Sequence, residues 1–276
     1  MSESPPSYTR VLAVLARNSF VRDMNFRGNF LIEVITAMFW MTMMVSFYLL
    51  IFQFANEIGE DTGWTKYRFF IFLATTMIIN GLMQAFVLPN AAEFSELIRL
   101  GNLDFALVKP IDTQFLISFQ RVNWSGYANI GCGIALMIYS LIHLSHVPSW
   151  LEMSLFVVYV TCGLGILYSL VICLASTSVW MGRNQSLYNF WFYITTFSRY
   201  PMEIYRGPLG DPLRLIFTFM IPIMIAINVP AQVMAKGLGE AESKLAVFGL
   251  FATMACLAIS RWIFGLAISA YRSASS

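Results

Sequence analysis

Five stretches of this sequence, about 30–54, 69–88, 117–142, 153–180 and 245–267, are long and apolar. Crossing the hydrocarbon of a bilayer takes about 20 predominantly apolar residues in a helix, because every backbone polar group must be satisfied within the segment. Each stretch meets that length. Between the fourth and the fifth lies 186–231, which is apolar but interrupted by Pro201, Pro208, Pro212, Pro222 and Pro230. The run 186–198 is too short to span unless it extends into "SRYPME", and 213–231 is long enough but carries two prolines and Asn228. The pattern predicts five full helices, plus a broken region that makes one more crossing and a re-entrant hairpin.

Composition supports a membrane chain rather than a buried core. Of 276 residues, 58% are apolar and 12% charged, with a mean hydropathy of +0.67. Soluble domains run near roughly 45–50% apolar and about 25% charged, so a globule of this size would lack the polar surface to cover itself. The net charge of +2 comes from dispersed basic residues, which gives no footprint for nucleic acid. The head "MSESPPSYTR" has neither the basic start nor the cleavage site of a signal peptide, so the first apolar run is expected to be a retained anchor. Cys132, Cys162, Cys173 and Cys256 all fall in apolar runs without a CxxC pair and read as small buried residues.

Ahead of the first span, Val11, Leu12, Val14, Leu15, Phe20, Val21 and Met24 alternate with Arg10, Arg17, Arg22 and Arg27. That is the pattern of an amphipathic helix lying in the interface plane. Lys and Arg concentrate in the head, in 89–113 and around Arg183 and Arg272, which places these segments and both termini in the cytoplasm. Arg199, Arg206, Arg214 and Lys236 resist that assignment.

Catalytic motifs are absent. The chain has no Gly-Lys pair, hence no phosphate-cradling GxxxxGK[ST] loop and no ATP hydrolysis of its own by that route. His143 and His146, with Glu152 nearby, have a spacing able to hold a metal, but they flank a turn ending at Pro148 where polar side chains are simply wetted. No metal or cofactor is expected in this chain. Within the spans, Asn80 and Gln84 stand four apart on the second helix, and Asn123 and Asn129 stand on the third around Ser125 and Gly126. Two readings stay open: interhelical glue through small residues and hydrogen bonds, or a polar stripe lining a substrate path. Glu33, Arg121 and Arg261 can snorkel at cytoplasmic ends.

The loop 89–113 stands apart. Pro89 is expected to end the second helix. Glu93 to Arg99 then read as two helical turns with Phe94, Leu97 and Ile98 on one face, Gly101 as a C-cap and Pro110 as a stop. Glu93, Glu96 and Asp104 outnumber Arg99 and Lys109, a balance that an anionic leaflet does not select and that a protein docking surface does.

With six crossings, that loop and the Pro-rich penultimate region, the chain resembles the type-2 ABC transporter permeases, closest to bacterial stand-alone permease subunits. The resemblance rests on "GNLDFALVKPI" at 101–111, "RYPMEIY" at 199–205 and "NVPAQVMAKG" at 228–237, and covers nearly the whole chain. It implies a bacterial inner-membrane subunit that pairs with an identical or sibling permease and docks on a separate cytoplasmic ATP-binding cassette subunit, where ATP and magnesium are held. The loop would be the coupling helix, with Phe94, Leu97, Ile98, Arg99, Leu103, Asp104 and Lys109 at the ATPase contact. Arg199, Pro201, Glu203, Tyr205 and Pro230 would belong to re-entrant extracytoplasmic helices that close the exit. The expected fold is thus all-α and polytopic: an amphipathic interface helix over 1–28, then a permease domain over 29–272 with its coupling loop at 89–113 and its broken region at 199–237. The expected activity is export of an amphipathic or lipid-like cargo. The alternative is an ion-coupled carrier or channel, for which the spans offer almost no titratable group.

Overall fold

The computed structural model of the chain describes residues 7–144, 147–181, 191–192, 195–237 and 239–271, without the side chains of 240–242. His146, Arg183, Arg272 and most of the run 186–198 lie outside the described residues. The fold is helical; among the described residues the one β-bridge joins Glu57 to Thr65.

The elements are α1 (Tyr8–Asn25), α2 (Arg27–Phe54), α3 (Lys66–Leu82), a π-helical turn (Met83–Val87), α4 (Leu88–Arg99), α5 (Asp104–Leu107), α6 (Thr113–Phe119), α7 (Gly126–Leu144), α8 (Trp150–Ser176) and α9 (Ser178–Met181). After them come a 3-10 turn (Met202–Ile204), α10 (Gly210–Leu215), a second π turn (Ile216–Met220), α11 (Ile223–Lys236) and α12 (Glu240–Ala270). Among the described residues five helical runs are long and apolar enough to cross a membrane: Arg27–Phe54, Lys66–Arg99, Gly126–Leu144, Trp150–Met181 and Ser243–Ala270. A sixth passes only if Gly210–Met220 and Ile223–Lys236, bent by 90°, are taken together.

Two expectations need correction. Pro89 does not end the second helix, which runs through it to Arg99. Proline lacks an N–H and its ring crowds the carbonyl four residues back. Here that carbonyl, on Ala85, accepts a hydrogen bond from the Asn123 backbone N–H at 2.9 Å, and the π turn Met83–Val87 absorbs the misfit just before it. The third span, expected over 117–142, is divided: α6 stops at Phe119 and α7 begins at Gly126, so Asn123 lies in a break rather than on the helix. The break forms because outside groups take up its backbone donors. Asn90 Oδ1 accepts from Arg121 N (2.7 Å), Ser19 Oγ from Val122 N (3.1 Å) and Asp23 Oδ2 from Trp124 N (3.1 Å). With the N–H groups of residues 121–125 satisfied there, continuing the helix through them gains nothing.

Burial is uneven. In α11 thirteen of the fourteen residues are buried, whereas in α2 Tyr48 alone is buried. Helix α3 packs across α7, and α8 packs on both α11 and α12. Close approach comes from small residues: a Cβ on Gly163 of α8 would fall on the Ala226 carbonyl, and one on Gly126 would meet Ala85 N at 2.9 Å. The bundle has two ends. The elbow end carries α1, 99–113, the break and α9. The far end carries the 55–65 loop, 199–206 and Lys236, whose Nζ donates to Thr62 O at 2.8 Å. Gly210 packs on Tyr205, so both limbs of the bent pair begin and finish at the far end.

Candidate functional site

The segment 100–112 is a compact excursion from the elbow end. Helix α4 closes with Gly101 at φ +70°, where Asn102 N donates to Leu97 O (2.9 Å) and Gly101 N to Ile98 O (3.1 Å). This pairing, with a left-handed residue after the last turn, satisfies the carbonyls a helix end leaves open. One helical turn, α5, follows; then Asp112 caps α6 by accepting from Phe115 N at 2.9 Å.

The roots of the excursion are tied to the bundle on several sides. Phe94 and Leu103 are 0% exposed, and the Phe94 ring lies 5.5 Å from that of Phe264 on α12. Ser178 on α9 donates to Ser95 at 2.9 Å. Arg261 on α12 reaches both carboxylate oxygens of Asp112 (3.1 and 2.5 Å) and Gln114 Oε1 (2.9 Å). That guanidinium holds the Asp112 carboxyl below the ordinary carboxylate value against the opposing effect of burial. Asn90, 1% exposed, also donates to Arg121 O at 2.6 Å, and Arg121 pairs with Glu93 at 2.9 Å.

Of the residues predicted for a partner contact, Phe94 and Leu103 lie in the core and brace the excursion from inside. Leu97, Ile98 and Asp104 are half-buried on its flank, Arg99 is exposed and ion-paired to Glu96, and Lys109 is exposed. The outer surface belongs instead to residues the sequence reading passed over: Leu100 (53% exposed), Phe105 (75%) and Val108 (84%). Their signal was present in "GNLDFALVKPI", where Phe105 and Val108 stand three apart, out of phase with buried Leu103 and Ala106.

Of the four residues weighed either as interhelical glue or as a pathway stripe, three come together. A cavity of about 560 Å³ between α2, the π turn and α7 is lined by Gln84, Asn123 and Asn129, with Trp40, Glu33 and Ser125. Asn129 Nδ2 donates to Gln84 Oε1 at 3.0 Å. Asn80, one turn back on α3, is not among its lining residues. Glu33, read earlier only as a snorkelling side chain, accepts from Ser125 Oγ and from Asn29 Nδ2. It also lines an adjoining cavity of about 420 Å³ beside Arg22 and Asp23 of α1, so the two spaces share Glu33, Asn123 and Ser125.

Of the residues predicted for the extracytoplasmic closure, Arg199, Pro201, Glu203 and Tyr205 lie in the far-end segment 199–206, whereas Pro230 lies in the middle of α11. Asn228 Oδ1 accepts from Met202 N (2.8 Å), next to Pro201, and Gln232 Nε2 donates to Glu203 Oε1 (2.8 Å). Lys236 Nζ lies 3.5 Å from the same oxygen and 4.2 Å from the Trp64 ring centroid. Tyr205 donates to Phe197 O at 3.1 Å, and the Arg199 guanidinium lies 5.1 Å from the Phe192 ring. Pro230, inside α11, withholds the N–H that Ala226 O would otherwise accept, and Gly163 lies against that carbonyl. Of the two other residues weighed for a metal, His143 Nδ1 bonds Tyr139 O at 2.9 Å and Glu152 caps α8 with Ser149.

A family model described as "ABC-2 family transporter protein" matches residues 38–275, from the middle of α2 to the end of the chain. No curated protein and no solved structure matches.

Proposed function

The chain belongs to the ABC-2 transporter family, and from that premise we propose that it is the non-catalytic permease subunit of an ATP-driven exporter. Five helical runs of spanning length together with the family make it a multi-pass membrane protein. A separate ATP-binding subunit hydrolyses magnesium-bound ATP on the cytoplasmic side and docks on the segment 100–112. The observation that carries this reading is the pairing of exposed Leu100, Phe105 and Val108 with roots fixed to α4, α9 and α12. A mobile loop would absorb a partner's movement; a braced one passes it to the helices. Around it Glu93, Glu96 and Asp104 outnumber Arg99 and Lys109, a balance that favours a protein groove over an anionic lipid surface.

In the same reading α1 lies at the cytoplasmic interface and both termini face the cytoplasm of a bacterial cell. Helix α2, exposed along nearly all its length, faces a second permease subunit, identical or sibling, or lipid. The cavity at Gln84, Asn123 and Asn129, walled on its apolar side by Trp40 and Leu88, takes up an amphipathic or lipid-like cargo. Residues 199–237 form the re-entrant closure at the outer side, which accounts for Arg199, Arg206, Arg214 and Lys236 lying away from the cytoplasmic cations.

The test is co-purification of this chain with an ATP-binding cassette subunit co-expressed with it. Phe105→Glu with Val108→Glu is expected to abolish the complex and the stimulation of ATP hydrolysis while leaving the melting temperature of the solubilised chain unchanged. Retention of the complex by that double variant contradicts the assignment.

A further inference from the structure

At the far end a cavity of about 330 Å³ lies between the two limbs of the bent pair, the Met202–Ile204 turn and α12 at Leu245. Two of its lining residues carry a buried oxygen with no hydrogen-bond partner: Glu203 Oε2 and Gln232 Oε1. Gln232 is 3% exposed, and its amide nitrogen is already committed to the other oxygen of Glu203. Buried acceptors without donors are rare in native interiors and call for a ligand or water to complete them. Thr218 also lines the space; its hydroxyl has only the Met224 sulfur at 3.9 Å, a weak acceptor. At the rim stands Arg214, 39% exposed, whose ion pair to exposed Asp211 is long at 3.9 Å. Below the rim the surface is apolar and open: Leu215 is 54% exposed, Phe219 53% and Met220 78%.

We propose that this cavity binds the headgroup of an anionic phospholipid carrying free hydroxyls, a phosphodiester with an adjacent diol. The hydroxyls donate to Glu203 Oε2 and Gln232 Oε1, the phosphate pairs with the forked donors of Arg214, and the acyl chains run along Leu215, Phe219 and Met220. A choline headgroup has no donor for the two orphaned oxygens. An ethanolamine headgroup has donors, but its ammonium would sit by the Lys236 ammonium, 3.5 Å from the other oxygen of the same carboxylate. Neutral hydroxyls meet no such repulsion. A lipid held there fills the angle of the bent pair and fastens its first limb to α12. The inference requires only that the chain is embedded in a membrane, and its outcome does not bear on docking at 100–112.

The experiment exchanges the purified full chain, in mild detergent, with equal amounts of phosphatidylglycerol, phosphatidylethanolamine and phosphatidylcholine, and counts retained lipid by native mass spectrometry. Phosphatidylglycerol is expected to be retained at least tenfold over phosphatidylcholine. Gln232→Met and the rim variant Arg214→Gln are each expected to lower that retention about tenfold, and Arg214→Gln to do so with an unchanged melting temperature. Equal retention of the three lipids, preference for ethanolamine, or indifference to both variants overturns the proposal. Soluble sn-glycerol 3-phosphate that raises the melting temperature as much as the lipid does also overturns it, in favour of a free phosphate ester.

Discussion

Two stretches of this chain place a π-helical turn just before a proline, Met83–Val87 before Pro89 and Ile216–Met220 before Pro222, and they end in opposite ways. The first continues as one helix from Lys66 to Arg99; the second bends by 90°. Residues preceding proline normally avoid the α region. Ile221 obeys, at φ −122°, ψ 86°, whereas Leu88 remains α-helical at φ −62°, ψ −43°. The neighbours make the difference. At the elbow the freed Ala85 carbonyl finds the Asn123 N–H, and Asn90 one residue on clamps Arg121 through both backbone groups. After Pro222 the chain instead turns back toward the far end as α11, buried against α8 and α3. So the same local chemistry yields a continuous rod that reaches the excursion 100–112, and a helix pair bent by 90°.

Each half of that comparison can be broken. The largest effect is expected at the bent pair: Gly163→Val sets side-chain atoms on the Ala226 carbonyl that Pro230 leaves open, a clash with backbone that only a shift of α8 or α11 relieves. Overpacking of this kind costs about 1–3 kcal/mol or more, and the variant is expected to yield little folded protein by detergent size-exclusion chromatography. Recovery at the level of the parent chain would show that α8 and α11 are further apart than described.

Next comes the rod. Asn90→Leu leaves the half-buried Arg121 N–H and carbonyl without their partners, a loss of about 1–3 kcal/mol at about 0.5–1.5 for each hydrogen bond. The melting temperature is expected to fall, and ATP hydrolysis in the assembled complex to become uncoupled from transport. Unaltered melting would show that the break at 120–125 stands without the clamp.

The smallest effect is expected at the Asp112–Arg261 tie, where the partners are 35% and 58% exposed, so the pair contributes under about 1 kcal/mol. Because the folded carboxyl titrates below its unfolded value, the tie stabilises fully above an unfolded carboxylate value of about 3.9 and is lost as pH falls through the lower folded value. The difference in melting temperature between the parent and Asp112→Asn is therefore expected to be constant from pH 6 to 8 and to vanish in strong acid. A difference that grows as pH falls would contradict the geometry.

Much of the architecture was legible because lipid leaves few choices: α2, α8 and α12 follow from unbroken apolar runs. The break at 120–125 was not, since its causes, Ser19, Asp23, Ala85 and Asn90, lie far away in sequence. Pro89 was misjudged because the rule for proline assumes that the orphaned carbonyl has no other donor. Phe94 and Leu103 read as contact residues because an apolar face looks the same in sequence whether it points at a partner or at the chain's own core; burial separates them from Phe105 and Val108. Gln84, Asn123 and Asn129 did converge, although the sequence supplied no reason for Glu33 to join them.

The most direct test compares the two ends of the molecule. A photo-crosslinking amino acid at Phe105 or Val108, and as a control at Leu209 of the far end (83% exposed), is introduced into the chain co-expressed with its ATP-binding subunit. The account predicts crosslinks to that subunit from 105 and 108 and none from 209. Crosslinking from 209, or silence at both 105 and 108, would contradict it.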